Sequence, residues 1–204
     1  GELEKCVAGM IRRTANLTLR GQGVASLHPA VGLCASLSRL TVTGTSLEGL
    51  PGEIGLCSTL RHINLSGNQL GSVPPPLCSL PAVDFLDLSA NRISGLPLAL
   101  TSLTNLRGLD VSSNRISSVP SPLLARLSLL ESLCLRDNLL LSVLDEPLLL
   151  GGGGGGGAAP LALLRTLDIS RNHGLGLPAS VGRLTSLGRI VASHNALSSL
   201  FTPP

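Results

Sequence analysis

Two aspartates, Asp87 and Asp110, come closest in type and spacing to residues that could do catalytic chemistry. They occupy matching places 23 residues apart, in segments that alternate apolar and polar residues. If these segments are neighbouring strands, the two carboxylates lie about 5 Å apart, which is the separation that retaining glycosidases use. A shallow, solvated surface would not raise the pKa of either carboxyl, and Asp168 repeats the same place further along. We therefore interpret them as part of a binding surface or a plain solvated face.

The four histidines do not indicate a metal centre. His28, His62, His173 and His194 fall in different parts of the chain, and none pairs with Cys, Asp or Glu at a zinc-ligand spacing. The sequence also lacks a glycine-rich phosphate loop, a G-x-S-x-G nucleophile elbow and an H-E-x-x-H pair. We expect no metal, no cofactor and no enzymatic activity.

The five cysteines are an odd number and include no C-x-x-C pair. Cys34 and Cys57 stand 23 residues apart, at a place where later units carry Leu. We expect both to pack in the core as small apolar residues, although a disulfide between neighbouring turns is geometrically conceivable. Cys134 is the thiol that we expect to be accessible, and no base is predicted beside it to activate it.

The composition excludes several classes of protein. Of the 204 residues 43% are hydrophobic but only 1% are aromatic, and the net charge of +3 comes from scattered basic residues. A nucleic-acid surface would need a basic stripe with stacking aromatic residues. No apolar run is long enough for a transmembrane segment, and the first residues show no leader. With no disulfide-rich cap, these features predict a cytoplasmic protein with free thiols.

A repeated unit organises all of these residues. Residues 60–74 follow the pattern L-x-x-L-x-L-x-x-N-x-L-x-x-L-P, with Ile63 and Val73 as aliphatic equivalents. Units begin, at intervals of 23, 23, 23, 23, 24, 34 and 23 residues, at Thr14, Leu37, Leu60, Val83, Leu106, Leu130, Leu164 and Leu187. This is the leucine-rich-repeat signature. It predicts an α/β repeat, a leucine-rich-repeat solenoid whose curved arc carries a parallel concave sheet of about eight repeats.

The place of a residue within the unit predicts where its side chain points. The fourth and sixth positions face inward from a short strand, and the third, fifth and seventh face solvent on the concave side. A proline at the fifteenth position of most units predicts extended or single-turn helical pieces on the convex side. The Asn at the ninth position is expected to bond the backbone of its own turn and of the next one, which is a structural role.

Three segments depart from the repeat. Residues 1–13 place aliphatic residues at helical spacing and predict a helix that caps the first repeat of an array over 14–204. Residues 148–160, with seven consecutive glycines, predict a flexible loop inserted on the convex side. The last unit stops soon after Phe201 without a polar cap, so we expect further chain or a partner to cover that end.

The unit, with an aliphatic residue and Pro at its fourteenth and fifteenth positions, resembles the intracellular leucine-rich repeats of the Ras-suppressor and Shoc type. The general resemblance spans nearly the whole chain and is closest in the segment from Leu65 to Leu80. It implies a solenoid fold and a cytoplasmic location. It gives little information about function, because that family is not assigned an enzymatic activity.

The concave face is the surface that we predict to bind a partner. Arg lies towards both of its ends and acidic residues occupy its middle, with Phe85 as an exposed aromatic anchor. The predicted protein-binding residues are Arg39, His62, Asn64, Phe85, Asp87, Asp110, Arg136, Asp168 and Arg189. This predicts a non-catalytic scaffold or adaptor that binds another protein. Two alternatives stay open: a concave face that is only solvated while partners use the convex side or the ends, and a structural subunit of a large multiprotein assembly.

Overall fold

The computed structural model of the chain is an open, curved sheet of eight parallel strands with short helical segments on the opposite side. It describes residues 12–21, 23–141, 160–173, 177–195 and 201–202. The predicted capping helix, apart from residues 12–13, and the predicted loop over 148–160, apart from Pro160, lie outside the described residues.

Each unit contributes one strand, and the strands follow one another in chain order along the arc. The eight strands are β1 (Asn16–Arg20), β2 (Arg39–Thr43), β3 (His62–Asn64), β4 (Phe85–Asp87), β5 (Gly108–Asp110), β6 (Ser132–Cys134), β7 (Thr166–Asp168) and β9 (Arg189–Val191). A separate short pair joins β8 (Leu177–Pro178) to β10 (Phe201–Thr202). The predicted leucine-rich-repeat solenoid is therefore confirmed.

The core is a stack of aliphatic layers. The fourth-position residue of each unit from Leu40 to Leu167 is completely or almost completely buried. The first, sixth and eleventh positions add further leucine, isoleucine and valine side chains, such as Leu60, Leu65 and Leu70, which are also fully buried. At the last strand Ile190 is 41% exposed. Each inner layer is thus covered by the layer on either side of it.

The convex wall consists of single helical turns, as predicted from the proline positions. Four 3₁₀ helices span Pro29–Leu33, Gly52–Leu56, Pro75–Ser79 and Leu98–Ser102. The next unit forms α1, a short α-helix over Ser121–Arg126, and a further 3₁₀ helix spans Ala179–Arg183. Each turn buries one or two aliphatic residues, such as Leu77 and Leu100.

The ninth-position asparagines form a buried ladder that links successive turns. Asn91 Oδ1 accepts a hydrogen bond from the Leu70 amide at 3.0 Å, and its Nδ2 donates to the carbonyl oxygens of Leu65, Leu88 and Ser89. Asn68, Asn114, Asn138 and Asn172 make the same set of bonds. The partner turn is the preceding one and not the following one, because the side chain points back along the array.

The eighth position has a left-handed backbone conformation throughout the array. It is glycine in the first three units, where Gly21, Gly44 and Gly67 have φ of 94°, 62° and 68°. In the later units the residues with φ between 52° and 58° at this position are Ala90, Ser113, Asp137, Arg171 and His194. A side chain at such a φ is strained, since Cβ approaches the following carbonyl oxygen. The turn that ends each strand therefore imposes this conformation even where glycine is absent.

Replacement of Asn91 by Ala tests the ladder. The variant removes four hydrogen bonds and leaves the buried Leu70 amide without its side-chain acceptor, while the Leu65 carbonyl keeps only the bond from Asn68. We expect Asn91→Ala to lower the free energy of unfolding by about 2–4 kcal/mol. The control is Asn105→Ala, whose amide bonds the Pro81 carbonyl at an exposed site. Equal shifts of the urea midpoint for the two variants would contradict the structural role of Asn91.

Replacement of Ala90 by Gly tests the strain at the eighth position. Because Ala90 has a φ of 52°, we expect Ala90→Gly to raise the free energy of unfolding by about 0.5–1 kcal/mol. Ala99, which is exposed in the 3₁₀ helix Leu98–Ser102, serves as the control. Ala99→Gly should lower stability instead. Urea unfolding of both variants measures the difference, and a loss of stability in both would show that Ala90 is unstrained.

Candidate functional site

The strand register places the predicted concave residues in continuous rows. The third positions run as Asn16, Arg39, His62, Phe85, Gly108, Ser132, Thr166 and Arg189, each paired with the next. The fifth positions form a parallel row that includes Asn64, Asp87, Asp110, Cys134 and Asp168. Residues distant in sequence thus lie one strand spacing apart, about 4.8 Å.

The Phe85 ring stacks on the His62 ring of the preceding strand and covers Gly108 of the following strand. The Phe85 and His62 rings are parallel, with their centroids 4.5 Å apart and an angle of 7° between their planes. On its other side the Phe85 ring covers Gly108, where an added Cβ would lie 2.6 Å from the ring atom Cδ2. Phe85 is therefore half-buried rather than fully exposed, which corrects the prediction. The missing side chain of Gly108 leaves the space that the Phe85 ring occupies.

The environment of His62 favours its neutral form. Partial burial lowers the pKa of the His62 imidazole below its ordinary value of 6.5, and the positive charge of Arg39 lowers it further. The carboxylates of Asp84 and Asp87 act in the opposite direction but are weaker causes of the pKa shift. At neutral pH the stack is therefore an uncharged pair of rings beside the exposed Arg39 guanidinium.

The fifth-position residues have a structural role that the sequence analysis missed. Asp87 Oδ1 accepts hydrogen bonds from the amide and hydroxyl of Ser89, at 2.9 and 2.7 Å. Asn64 Oδ1 accepts the same two bonds from Ser66, and Asp168 Oδ1 accepts them from Ser170. Asp110 Oδ1 accepts from the Ser112 amide. The sequence signal is an Asp or Asn followed two residues later by Ser. Each acid thus closes the turn after its own strand and has its second oxygen, Oδ2, outside this contact.

The four cysteines in the described part of the chain are free, and their accessibility differs from the prediction. Cys34 and Cys57 are buried and free, as expected of core residues. Cys134 is half-buried at its fifth position, but Cys78 is half-buried as well, so Cys134 is not uniquely accessible. Desolvation raises the pKa of the Cys134 thiol, with smaller contributions from Asp110 and Asp168. This keeps the thiol protonated, as expected of an unreactive cysteine.

A shallow depression of about 300 Å³ lies on the concave face over β6, β7 and β9. Cys134, Asp168 and Arg189 line it. Thr166 and Ser132 also line it, and the Thr166 hydroxyl donates to the Ser132 hydroxyl at 2.9 Å. The depression therefore offers a carboxylate, a guanidinium and two hydroxyls beside apolar lining residues.

The structure divides the nine predicted binding residues into groups. Arg39, His62 and Phe85 lie together around the ring stack, while Asp168 and Arg189 lie together at the depression. Asn64, Asp87 and Asp110 occupy the fifth-position row between these groups, and Arg136 is exposed just beyond β6. In the described part of the chain no group of three or more His, Cys, Asp or Glu could hold a metal ion.

Comparison with known proteins agrees with this geometry. Leucine-rich-repeat family models match residues 35–93 and 105–127. A leucine-rich-repeat protein of Leptospira interrogans superposes with a TM-score of 0.84 at 24% identity, over 94% of this chain and 46% of that chain. No curated protein matches the chain by sequence. Residues 35–93 and 105–127 are thus similar to leucine-rich repeats, and the fold of the chain is a leucine-rich-repeat solenoid.

Two solved complexes of larger proteins are also similar to the chain. PEPR1 bound to AtPEP1 superposes with a TM-score of 0.75 at 28% identity, over 92% of this chain and 26% of that chain. The plant peptide hormone receptor RGFR1 bound to RGF2 superposes with a TM-score of 0.68 at 26% identity, over 84% of this chain and 27% of that chain. The chain thus spans less than half the length of these solved structures. Among the described residues, none of the helices has the length and apolar character needed to cross a membrane.

Replacement of Gly108 by Ala tests the ring stack. The new Cβ would lie 2.6 and 3.0 Å from two atoms of the Phe85 ring, so the ring must tilt away. We expect the ring-current shifts of the His62 imidazole protons in an NMR spectrum to decrease. Gly95→Ala is the control, because no atom lies within 4 Å of its added Cβ. Unchanged His62 resonances in Gly108→Ala would rule out the stacked arrangement.

Proposed function

We propose that the chain is a non-catalytic protein-binding module that docks a partner on its concave face, as a scaffold or adaptor does. The observation that carries the proposal is the ring stack of His62 and Phe85 over Gly108, beside an exposed arginine. Stacked, partly buried rings among small polar side chains are typical of the energetic centre of an interface.

The rest of the concave face supports recognition of an extended or curved protein surface. The Ser-bonded carboxylates of Asp87 and Asp110 lie in the row beside the stack and are held in fixed orientations. Further along, the depression at Asp168 and Arg189 offers charges of both signs. A partner with an apolar group over Phe85 and basic groups opposite the aspartates fits this pattern.

Similar proteins in complexes also support the proposal. PEPR1 is bound to AtPEP1, and the peptide hormone receptor RGFR1 is in complex with RGF2. Both proteins have the same solenoid fold over most of the length of this chain. From these complexes we extend to this chain only the binding of a protein or peptide partner, and not the identity of that partner.

A structural subunit of a large assembly is the second candidate function. Exposed leucines on the convex side favour it: Leu33 and Leu56 hold the same place in neighbouring turns and are 52% and 69% exposed. Ile190 of β9 adds a partly exposed core position. A fixed subunit would be recovered only within its assembly, whereas an adaptor would also be recovered free.

The cellular location and the closer relationship are further proposals. We propose a reducing, cytoplasmic environment, since the four cysteines in the described part of the chain are free. We also propose a relationship to the intracellular repeats of the Ras-suppressor and Shoc type, with the segment from Leu65 to Leu80 most like leucine-rich repeat-containing protein 57. Cell fractionation tests the location, since recovery in the secreted fraction would contradict it.

Photo-crosslinking in cell extract tests the concave face. A photoreactive residue at the exposed Ser132 should give a discrete adduct, while one at Leu56 on the convex side should not. Phe85→Ala should reduce the Ser132 adduct about tenfold, because an anchor residue of this kind contributes about 1–2 kcal/mol or more. The matched control is Leu98→Ala on the convex side. Equal adducts from Leu56, or an undiminished Ser132 adduct in Phe85→Ala, would contradict the proposal.

A further inference from the structure

The basic side chains of the later units gather on one edge of the solenoid. We define the turn edge as the eighth- and tenth-position residues that follow each strand. From the fourth unit onward it carries the exposed residues Arg92, Arg115, Arg171, His173 and His194. Among the described residues, none of these makes an ion pair.

The opposite edge, formed by the second-position residues, differs because its charges are paired. Arg107 lies 2.5 Å from Glu131, and Arg165 lies 3.7 Å from the other oxygen of the same carboxylate. Arg61 and Asp84 are 4.0 Å apart. The uncompensated positive charge therefore lies at the turn edge, which the concave binding surface does not use.

A cleft of about 540 Å³ opens at the turn edge of the last units. Asp137, Leu139, Arg171, His173 and His194 line it, above asparagines of the buried ladder. The ladder amides are already bonded to backbone carbonyls, as Asn172 shows with Leu135 and Ile169. The donors that face a ligand are therefore the guanidinium and the two imidazoles.

Three of these side chains stand where the backbone favours glycine. Asp137, Arg171 and His194 have φ of 57°, 56° and 58° at the eighth position, which is glycine in the first three units. The same conformation recurs at Ala90 and Ser113, so it belongs to the repeat, and what distinguishes the cleft is the polar side chains that these positions carry there.

We propose that this cleft binds an acidic segment of a protein partner, at a site separate from the concave face. Leu139 lines the cleft and is 44% exposed, so the fitting segment carries an apolar side chain as well as carboxylates. Asp137, whose Oδ2 accepts from the Ser113 hydroxyl at 3.0 Å, lies among the basic groups. It favours spaced negative charges over a continuous polyphosphate, and no Phe, Tyr or Trp lines the cleft.

Glycine variants separate binding from folding. In the variant Arg171→Gly with His194→Gly, both left-handed positions become glycine while the guanidinium and one imidazole are removed. We expect its affinity for a fluorescein-labelled, glutamate-rich peptide containing one leucine to fall about tenfold in fluorescence anisotropy. Its thermal midpoint should stay the same or rise. Arg171→Gln, which removes only the charge, should also weaken binding.

The control is Arg61→Gln at the opposite edge, which removes one charge and should change affinity less than about twofold. The proposal is overturned if the glycine variant binds the peptide as tightly as the unaltered chain does. It is also overturned if a glutamine-for-glutamate peptide binds equally well, or if a single-stranded oligonucleotide binds more tightly than the acidic peptide.

Discussion

The structure depends on one constraint: no turn of the array can bury its own apolar side chains or complete its own hydrogen bonds. An isolated turn would expose its strand leucines to water and leave backbone groups such as the Leu70 amide without a side-chain partner. Its neighbour covers the aliphatic layer and supplies the asparagine that bonds across the gap, as Asn91 does for Leu65 and Leu70. Apolar burial thus fixes the spacing of the turns, and the ladder fixes their register.

Because the interior is repeated, differences between units appear on the outside. The third positions vary from Arg39 to Gly108, and this variation creates the ring stack at a single place on the arc. The eighth positions change from glycine to Arg171 and His194, and this change creates the cleft on the turn edge. The two proposed surfaces therefore arise from outward positions that the core does not constrain.

Much of the architecture could be predicted from the sequence, because the unit length sets the strand register directly. The pairing of Asp87 with Asp110 and the burial of Ile63, Leu86 and Leu109 follow from that periodicity. The position of the Phe85 ring could not be predicted, since it depends on rotamers and on the space above Gly108. The serine bonds of the acids could have been found, because an Asp or Asn two residues before Ser recurs in four units.

Amide hydrogen exchange of the unaltered chain tests most directly whether the asparagine ladder joins successive turns. The amides of Leu70, Ile93 and Ile116 donate to ladder asparagines of the following turn. If the turns are held together as described, these amides exchange among the slowest in the chain, at rates close to those of global unfolding. Exchange as fast as that of exposed turn residues would mean that the ladder does not join the turns, and the register on which both surfaces depend would be lost.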